Sequence, residues 1–133
     1  MNNKLNMKTT KTVRKAGFTL VEIMIVVAII GLLAAIAIPN FVRARATSQA
    51  NACINNMRQI DAAVNEWALE QGKKTGDGPA TLTTDLTPYI KLNANGAIPS
   101  CPAGGSYTVG TVGATPQVTC NLGNTVNPPH QLP

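Results

Sequence analysis

Few residues in this chain are equipped for chemistry, and those that are stand far apart. Cys53, Cys101 and Cys120 carry the thiols, His130 is the lone histidine, and Asp77 and Asp85 border a Gly/Thr-rich stretch. A general base needs a partner to orient it, and nothing near His130 in its Pro-rich tail does so. No phosphate-cradling Gly loop, no Ser/His/Asp arrangement and no paired carboxylates with a plausible pocket occur, so an enzyme is not expected. The cysteines show neither Cys-x-x-Cys nor a Cys/His ligand cluster, which argues against zinc and redox readings; no metal and no cofactor are expected. Two scattered aspartates are a weak calcium signal, even with loop carbonyls to help. That leaves Glu22, a carboxylate inside an apolar run, with Gly17 and Phe18 just before it.

Glu22 is the one strongly polar side chain between Phe18 and Ile38, and no charge follows it until after Pro39. At ~1.5 Å per residue that stretch makes roughly 31 Å of helix, enough to cross a hydrocarbon core. Ile, Val, Leu, Ala and Met dominate it with no polar face, unlike an amphipathic helix of a soluble core. A charge at the centre of a bilayer-spanning helix costs about 2.5–3.5 kcal/mol, less near the end where Glu22 lies. One reading has the carboxylate reach the headgroups. The other gives it a cation, and cleavage after Gly17 makes one: the free α-amine of Phe18.

The residues Lys15-Ala16-Gly17-Phe18-Thr19-Leu20-Val21-Glu22, with the apolar run through Pro39-Asn40-Phe41, strongly resemble the start of type IV prepilins and related pseudopilins. The resemblance covers about Arg14 to Arg45, and it is specific because cleavage site, charge and span stand in register. It implies that a prepilin peptidase cuts between Gly17 and Phe18 and N-methylates Phe18. It further implies that Glu22 pairs with the Phe18 amine of a neighbouring subunit as a filament grows. Physics favours that role: a correctly registered subunit neutralises a buried charge, and a slipped one strands it. The resemblance also implies that Gly31 to Pro39 can unwind in the filament; close helix packing at Gly31 is the alternative.

The formal charge of +5 does not mark a nucleic-acid binder. Lys4, Lys8, Lys11, Arg14 and Lys15 all precede the cleavage site, and the remaining basic and acidic side chains balance. The mature body therefore has no basic surface to track phosphates. Those leader cations, outnumbering Arg43 and Arg45 beyond the span, set the N-terminus in the cytoplasm and the head outside. An ordinary secretory signal, cut near Ala35-Ile36-Ala37, is the rival; the length of the run and Glu22 at its head oppose it. In an oxidising location disulfides persist. A Cys101–Cys120 bridge is favoured, worth roughly 3 kcal/mol in unfolded-chain entropy. Cys53 is then a small buried thiol, and a Cys53 bridge to either partner stays open.

Along the chain, residues 1–17 read as a disordered basic leader that is removed, 18–39 as the transmembrane and polymerisation half of a long helix, and 40–72 as its amphipathic half. Residues 73–133 read as a loop, a short helical turn and a C-terminal β-hairpin. Pro39 is expected to kink the helix without ending it. Cys53, Met57, Ile60, Val64 and Trp67 recur at alternating four- and three-residue spacings, an apolar stripe widened by Ala50, Ile54, Ala63 and Ala68. Gly72 is a natural stop. Thr84 to Ile90 reads as one capped helical turn with Leu86 and Ile90 inward. Residues 106–112 and 117–122 read as strands around Gly113-Ala114-Thr115-Pro116, with a short third strand near Ala97-Ile98. A hairpin alone is marginal in water, so it must lie on the stripe. Residues 123–133 read as frayed.

The fold class expected is thus α+β: a long membrane-spanning N-terminal helix packed along its C-terminal half by a small antiparallel sheet. The function expected is a structural subunit of a type IV pilus-like filament, built by N-terminal helix bundling. A pseudopilin of a type II secretion or DNA-uptake system is the alternative. The resemblance implies a homopolymer served by the prepilin peptidase/methylase, an assembly ATPase, an inner-membrane platform and an outer-membrane secretin. It places the precursor in the inner membrane, and the product in an extracellular pilus or periplasmic pseudopilus.

Overall fold

The computed structural model describes residues 16–133, so the leader expected over 1–17 lies almost wholly outside the described residues, as do its five cations. The elements run α1 (Leu20–Glu70), β1 (Tyr107–Val109) and β2 (Val118–Cys120), an α+β fold as the sequence implies. Contacts divide the chain into two units between Ile38 and Pro39.

Helix α1 is 51 residues long and continuous through Pro39. Proline removes one backbone hydrogen bond and crowds the preceding turn. Good helix formers on both sides, Ala34, Ala35 and Ala37 before it and Ala44, Arg45 and Ala46 after it, carry the helix across. The helix begins at Leu20, two residues later than Phe18, because Thr19 caps it. In the first unit the large apolar side chains from Leu20 to Ile38 are all exposed.

The second unit contains the core. Cys53, Met57, Ile60 and Val64 are fully buried on one face of α1, with Ala50, Ala63 and Ala68 buried beside them and Ile54 and Trp67 partly covered. The stripe seats the head as its periodicity requires. The helix then stops in a Schellman arrangement: Lys73 N–H donates to Ala68 O at 2.8 Å and Gly72 N–H to Leu69 O at 3.3 Å, with Gly72 at φ +60°. Lys73 doubles back over the Trp67 ring, 5.7 Å from its centroid.

Residues 81–90 form successive turns in place of the expected helical turn. Asp85 N–H reaches Thr81 O at 2.9 Å while its carboxylate accepts from Thr81 N–H at 2.7 Å, so the cap operates three residues earlier than Thr84. Pro88 offers no N–H to extend the pattern. Leu86 and Ile90 nonetheless point into the core. No strand forms at Ala97-Ile98, because Asn93 folds that loop on itself: its Oδ1 accepts from Asn95 and Ala97 N–H, both at 3.0 Å. These are Asx-type turns that compete with a ladder.

The hairpin is shorter than its β-rich composition suggests. Tyr107 pairs with Cys120, Thr108 with Thr119 and Val109 with Val118, antiparallel. Val109, Val118 and Cys120 face the core and Thr119 faces out. Past Gly110, whose N–H still donates to Gln117 O at 2.7 Å, the chain leaves the ladder. Val112 instead exchanges backbone bonds with the connection after α1, accepting from Gly76 N–H at 2.8 Å and donating to Asp77 O at 3.2 Å. The C-terminal tail, expected to be frayed throughout, is mostly exposed but pinned at one point: His130 is buried, and its backbone N–H donates to Gly123 O at 3.0 Å.

Candidate functional site

Residues 16–19 are non-helical and exposed, which leaves the Gly17–Phe18 peptide open to another protein; Phe18 is 86% exposed. Thr19 is the N-cap. Its Oγ1 accepts from Glu22 N–H at 3.2 Å, and Glu22 Oε2 accepts from Thr19 N–H at 2.7 Å. This reciprocal capping box satisfies two backbone donors that a helix start would otherwise leave orphaned. The Thr19 hydroxyl donates to the same Oε2 at 2.7 Å. One carboxylate oxygen thus holds the helix start, while Oε1 receives no bond from the described residues. The Thr-x-x-Glu spacing is a capping-box signature in the sequence; the charge of Glu22 in lipid does not reveal it, but its place three residues past a threonine does.

Below Glu22 the apolar side chains stay exposed, Ile23, Ile25, Ile29 and Leu33 each at half their surface or more. By length and composition α1 contains a segment able to cross a membrane, with none of that window buried within the chain. A Cβ built on Gly31 meets nothing within 4 Å, so any packing demand at Gly31 comes from outside the chain.

A second constellation lies in the head. Cys53 from α1, Cys101 from the loop, Cys120 from the end of β2 and His130 from the tail are all buried, and their ligand atoms lie within 4.8 Å of one another. Cys101 Sγ and His130 Nδ1 are 3.4 Å apart. The expectation that no Cys/His cluster exists is thereby corrected: sequence spacing showed none, and folding assembles one. The three thiols are free, and Cys53, expected to stand apart from a Cys101–Cys120 bridge, lies within the same 4.8 Å.

The four groups are held by local turns. Gly104 N–H closes a turn on Cys101 O at 2.9 Å, with Gly104 at φ +85°, a conformation that favours glycine. Gly123 N–H closes another on Cys120 O at 2.9 Å. Burial would raise the Cys101 thiol, but the backbone N–H groups of Ala103 and Gly105 and the Cys53 and Cys120 thiols bond to its sulfur, and its pKa falls below the usual thiol value. Cys53 goes the other way: burial pushes it up to about 12, despite a hydrogen bond from the Tyr107 hydroxyl. Asn56 Nδ2 in turn donates to that hydroxyl at 3.2 Å and to Ser100 O at 3.1 Å.

Gly105 runs directly over the cluster. A Cβ there would sit 2.7 Å from Cys120 Sγ and 2.8 Å from Asn121 Oδ1. Asn121 cannot easily yield, since its Oδ1 accepts from Ser106 N–H at 2.9 Å. Gly105→Ala is therefore expected to destabilise the head by about 1–3 kcal/mol through overpacking. A thermal melt followed by the fluorescence of Trp67 checks this, with Gly78→Ala, where nothing lies within 4 Å, as the neutral comparison.

Comparison with known proteins bears on the helix start. A family profile described as the prokaryotic N-terminal methylation motif matches residues 13–38. The chain is 47% identical over 60 residues to the type IV major pilin protein PilA of Myxococcus xanthus, covering 45% of this chain and 27% of that protein. It is 48% identical over 61 residues to the type IV major fimbrial protein FimA of Dichelobacter nodosus, covering 46% of this chain and 38% of that one. The N-terminal part of the chain is similar to type IV pilins and carries the N-terminal methylation motif. A third pilin, the type IV major pilin protein PilE1 of Neisseria gonorrhoeae, is 39% identical over 80 residues, covering 56% of this chain and 48% of that protein. The chain thus spans less than half the length of each of these pilins, and no solved structure matches it. Within the methylation motif lie Gly17, Phe18, Glu22 and Gly31; Pro39 falls just past its end.

Proposed function

We propose that this chain is a structural subunit of a type IV pilus-like filament, not an enzyme. One observation carries the reading: a helix that starts in a closed capping box keeps its entire apolar N-terminal stretch exposed, with a half-engaged carboxylate at its head. Such a surface needs lipid first and sister helices afterwards. In this reading residues 1–17 are the leader, 18–39 the polymerising half, 40–72 the amphipathic half and 73–133 the rest of the head. A prepilin peptidase cuts at Gly17–Phe18 with the N-terminus in the cytoplasm, the Phe18 amine is methylated, and Glu22 Oε1 receives that amine from the next subunit. Gly31 and Pro39 are the points at which the helix yields in the fibre. An assembly ATPase, an inner-membrane platform and an outer-membrane secretin complete the machinery. With its charges balanced, the mature subunit binds no nucleic acid.

Intact mass and N-terminal sequencing of material sheared from living cells test this. The expected result is a chain beginning at N-methylated Phe18 in the sheared filament fraction. The same end confined to the cell envelope moves the subunit into a secretion or DNA-uptake pseudopilus. A chain beginning at Met1, or near Ile38 as an ordinary signal peptidase would leave it, overturns the reading.

A further inference from the structure

We propose that Cys53, Cys101, Cys120 and His130 form a structural Zn2+ site that ties the head together. Three thiolates and one imidazole are a ligand set of closed, four-coordinate zinc centres. With Zn–S near 2.3 Å and Zn–N near 2.0 Å, a tetrahedral ion sets its ligand atoms roughly 3.5–3.8 Å apart. Here all four ligand atoms lie within 4.8 Å of one another and the Cys101–His130 pair is 3.4 Å apart, so small side-chain shifts complete the tetrahedron. The groups are 0%, 3%, 7% and 3% exposed in chain order, which leaves no open position for a substrate and makes the site structural.

The surroundings suit a metal better than a disulfide. Zinc displaces the three thiol protons and binds neutral imidazole, leaving the centre with a net charge of about −1 that must be met by donors. Polar groups are in place beside it: the Ala103 and Gly105 N–H groups lie near the Cys101 sulfur, and the Tyr107 hydroxyl, to which Asn56 Nδ2 donates at 3.2 Å, lies near Cys53. A bridge between any two cysteines would strand the third thiol and the imidazole, buried side by side. The ligands also come from four separate segments, α1, the loop at Cys101, the end of β2 and the tail. Two three-residue strands are too small a sheet to hold them, and small heads commonly need such a staple. The inference stands on the head alone and does not depend on filament formation.

The test uses the full chain extracted from its own host's membranes in mild detergent without reductant, then assayed for metal and mass. One zinc per chain is expected, with all three thiols at full reduced mass and protected from alkylation until a chelator is added. Replacing zinc with Co2+ should give the intense visible bands of tetrahedral thiolate ligation. Cys53→Ser is expected to weaken Co2+ binding by about 100-fold or more, since even losing a group that only supports a ligand costs 10–100-fold. A chain lighter by two hydrogens and free of metal overturns the proposal in favour of a disulfide. A reduced chain that takes up neither zinc nor Co2+ overturns it as well, and so does wild-type Co2+ affinity in Cys53→Ser. Only the last of these uses a variant, so misfolding cannot rescue the idea.

Discussion

Glu22→Ala and Glu22→Gln subunits are both expected to fall out of the sheared filament fraction, by about 30-fold or more, while accumulating normally in the envelope. The pair separates two jobs that one side chain performs. Oε2 closes the helix start on Thr19, a task glutamine also performs at this position of a capping box. In the proposed filament Oε1 is the oxygen offered to a neighbour's amine, and that task needs the negative charge. Removing one member of a desolvated charge pair costs roughly 2 kcal/mol or more, which is the 30-fold in the addition equilibrium. Thr19→Ala removes the cap and keeps the charge, so it is expected to cost about 1 kcal/mol and to lower filament yield only a few-fold. Immunoblots of sheared and retained subunit, normalised to total, read all three variants. Glu22→Gln entering filaments at the wild-type rate would mean that capping is the whole of Glu22's work and that register is set elsewhere.

Leu86→Ala is expected to unfold the head or bring it close to unfolding. Leu86 is fully buried in the same core cluster as Met57, Ile60 and Val64 of the helix stripe, although it sits in a run of turns that forms neither helix nor strand. Truncating a buried leucine costs about 2–5 kcal/mol through lost burial and the cavity left behind. A head this small has a total stability on the order of 5 kcal/mol, so the loss is a large share of it. In a domain of this size each kcal/mol moves the midpoint by about 4–8 °C, and a drop of at least ~10 °C is expected in a melt of the full chain in detergent. Leu69→Ala is the comparison. That side chain is 84% exposed and close to the same end of α1, and its loss should move the midpoint by less than about 2 °C. Equal melting of Leu86→Ala and wild type would show that residues 81–90 lie outside the cooperative unit.

What the amino-acid sequence determined by itself is what local periodicity and local chemistry can encode. The apolar run from Phe18 to Ile38 is long enough for a bilayer whatever the head does. The spacing of Cys53, Met57, Ile60 and Val64 names a buried face, and Gly72 ends the helix because glycine tolerates the left-handed turn found there. Even the capping box from Thr19 to Glu22 was available to a local reading. The tertiary structure decided the rest. Val112 left the ladder for the loop at Gly76 and Asp77, and Asn93 spent its side chain on a turn, so the sheet shrank to two short strands. His130, in a tail with the composition of a frayed end, became buried because Gly123 and Cys120 turn the chain back onto the core. Cys53, Cys101, Cys120 and His130 have no motif spacing. Each sits on a different segment, and only packing on the helix stripe converts four distant residues into neighbours within 4.8 Å. Contacts between distant segments leave no periodic trace, so the span and the stripe were legible in the sequence and the four-ligand cluster was not.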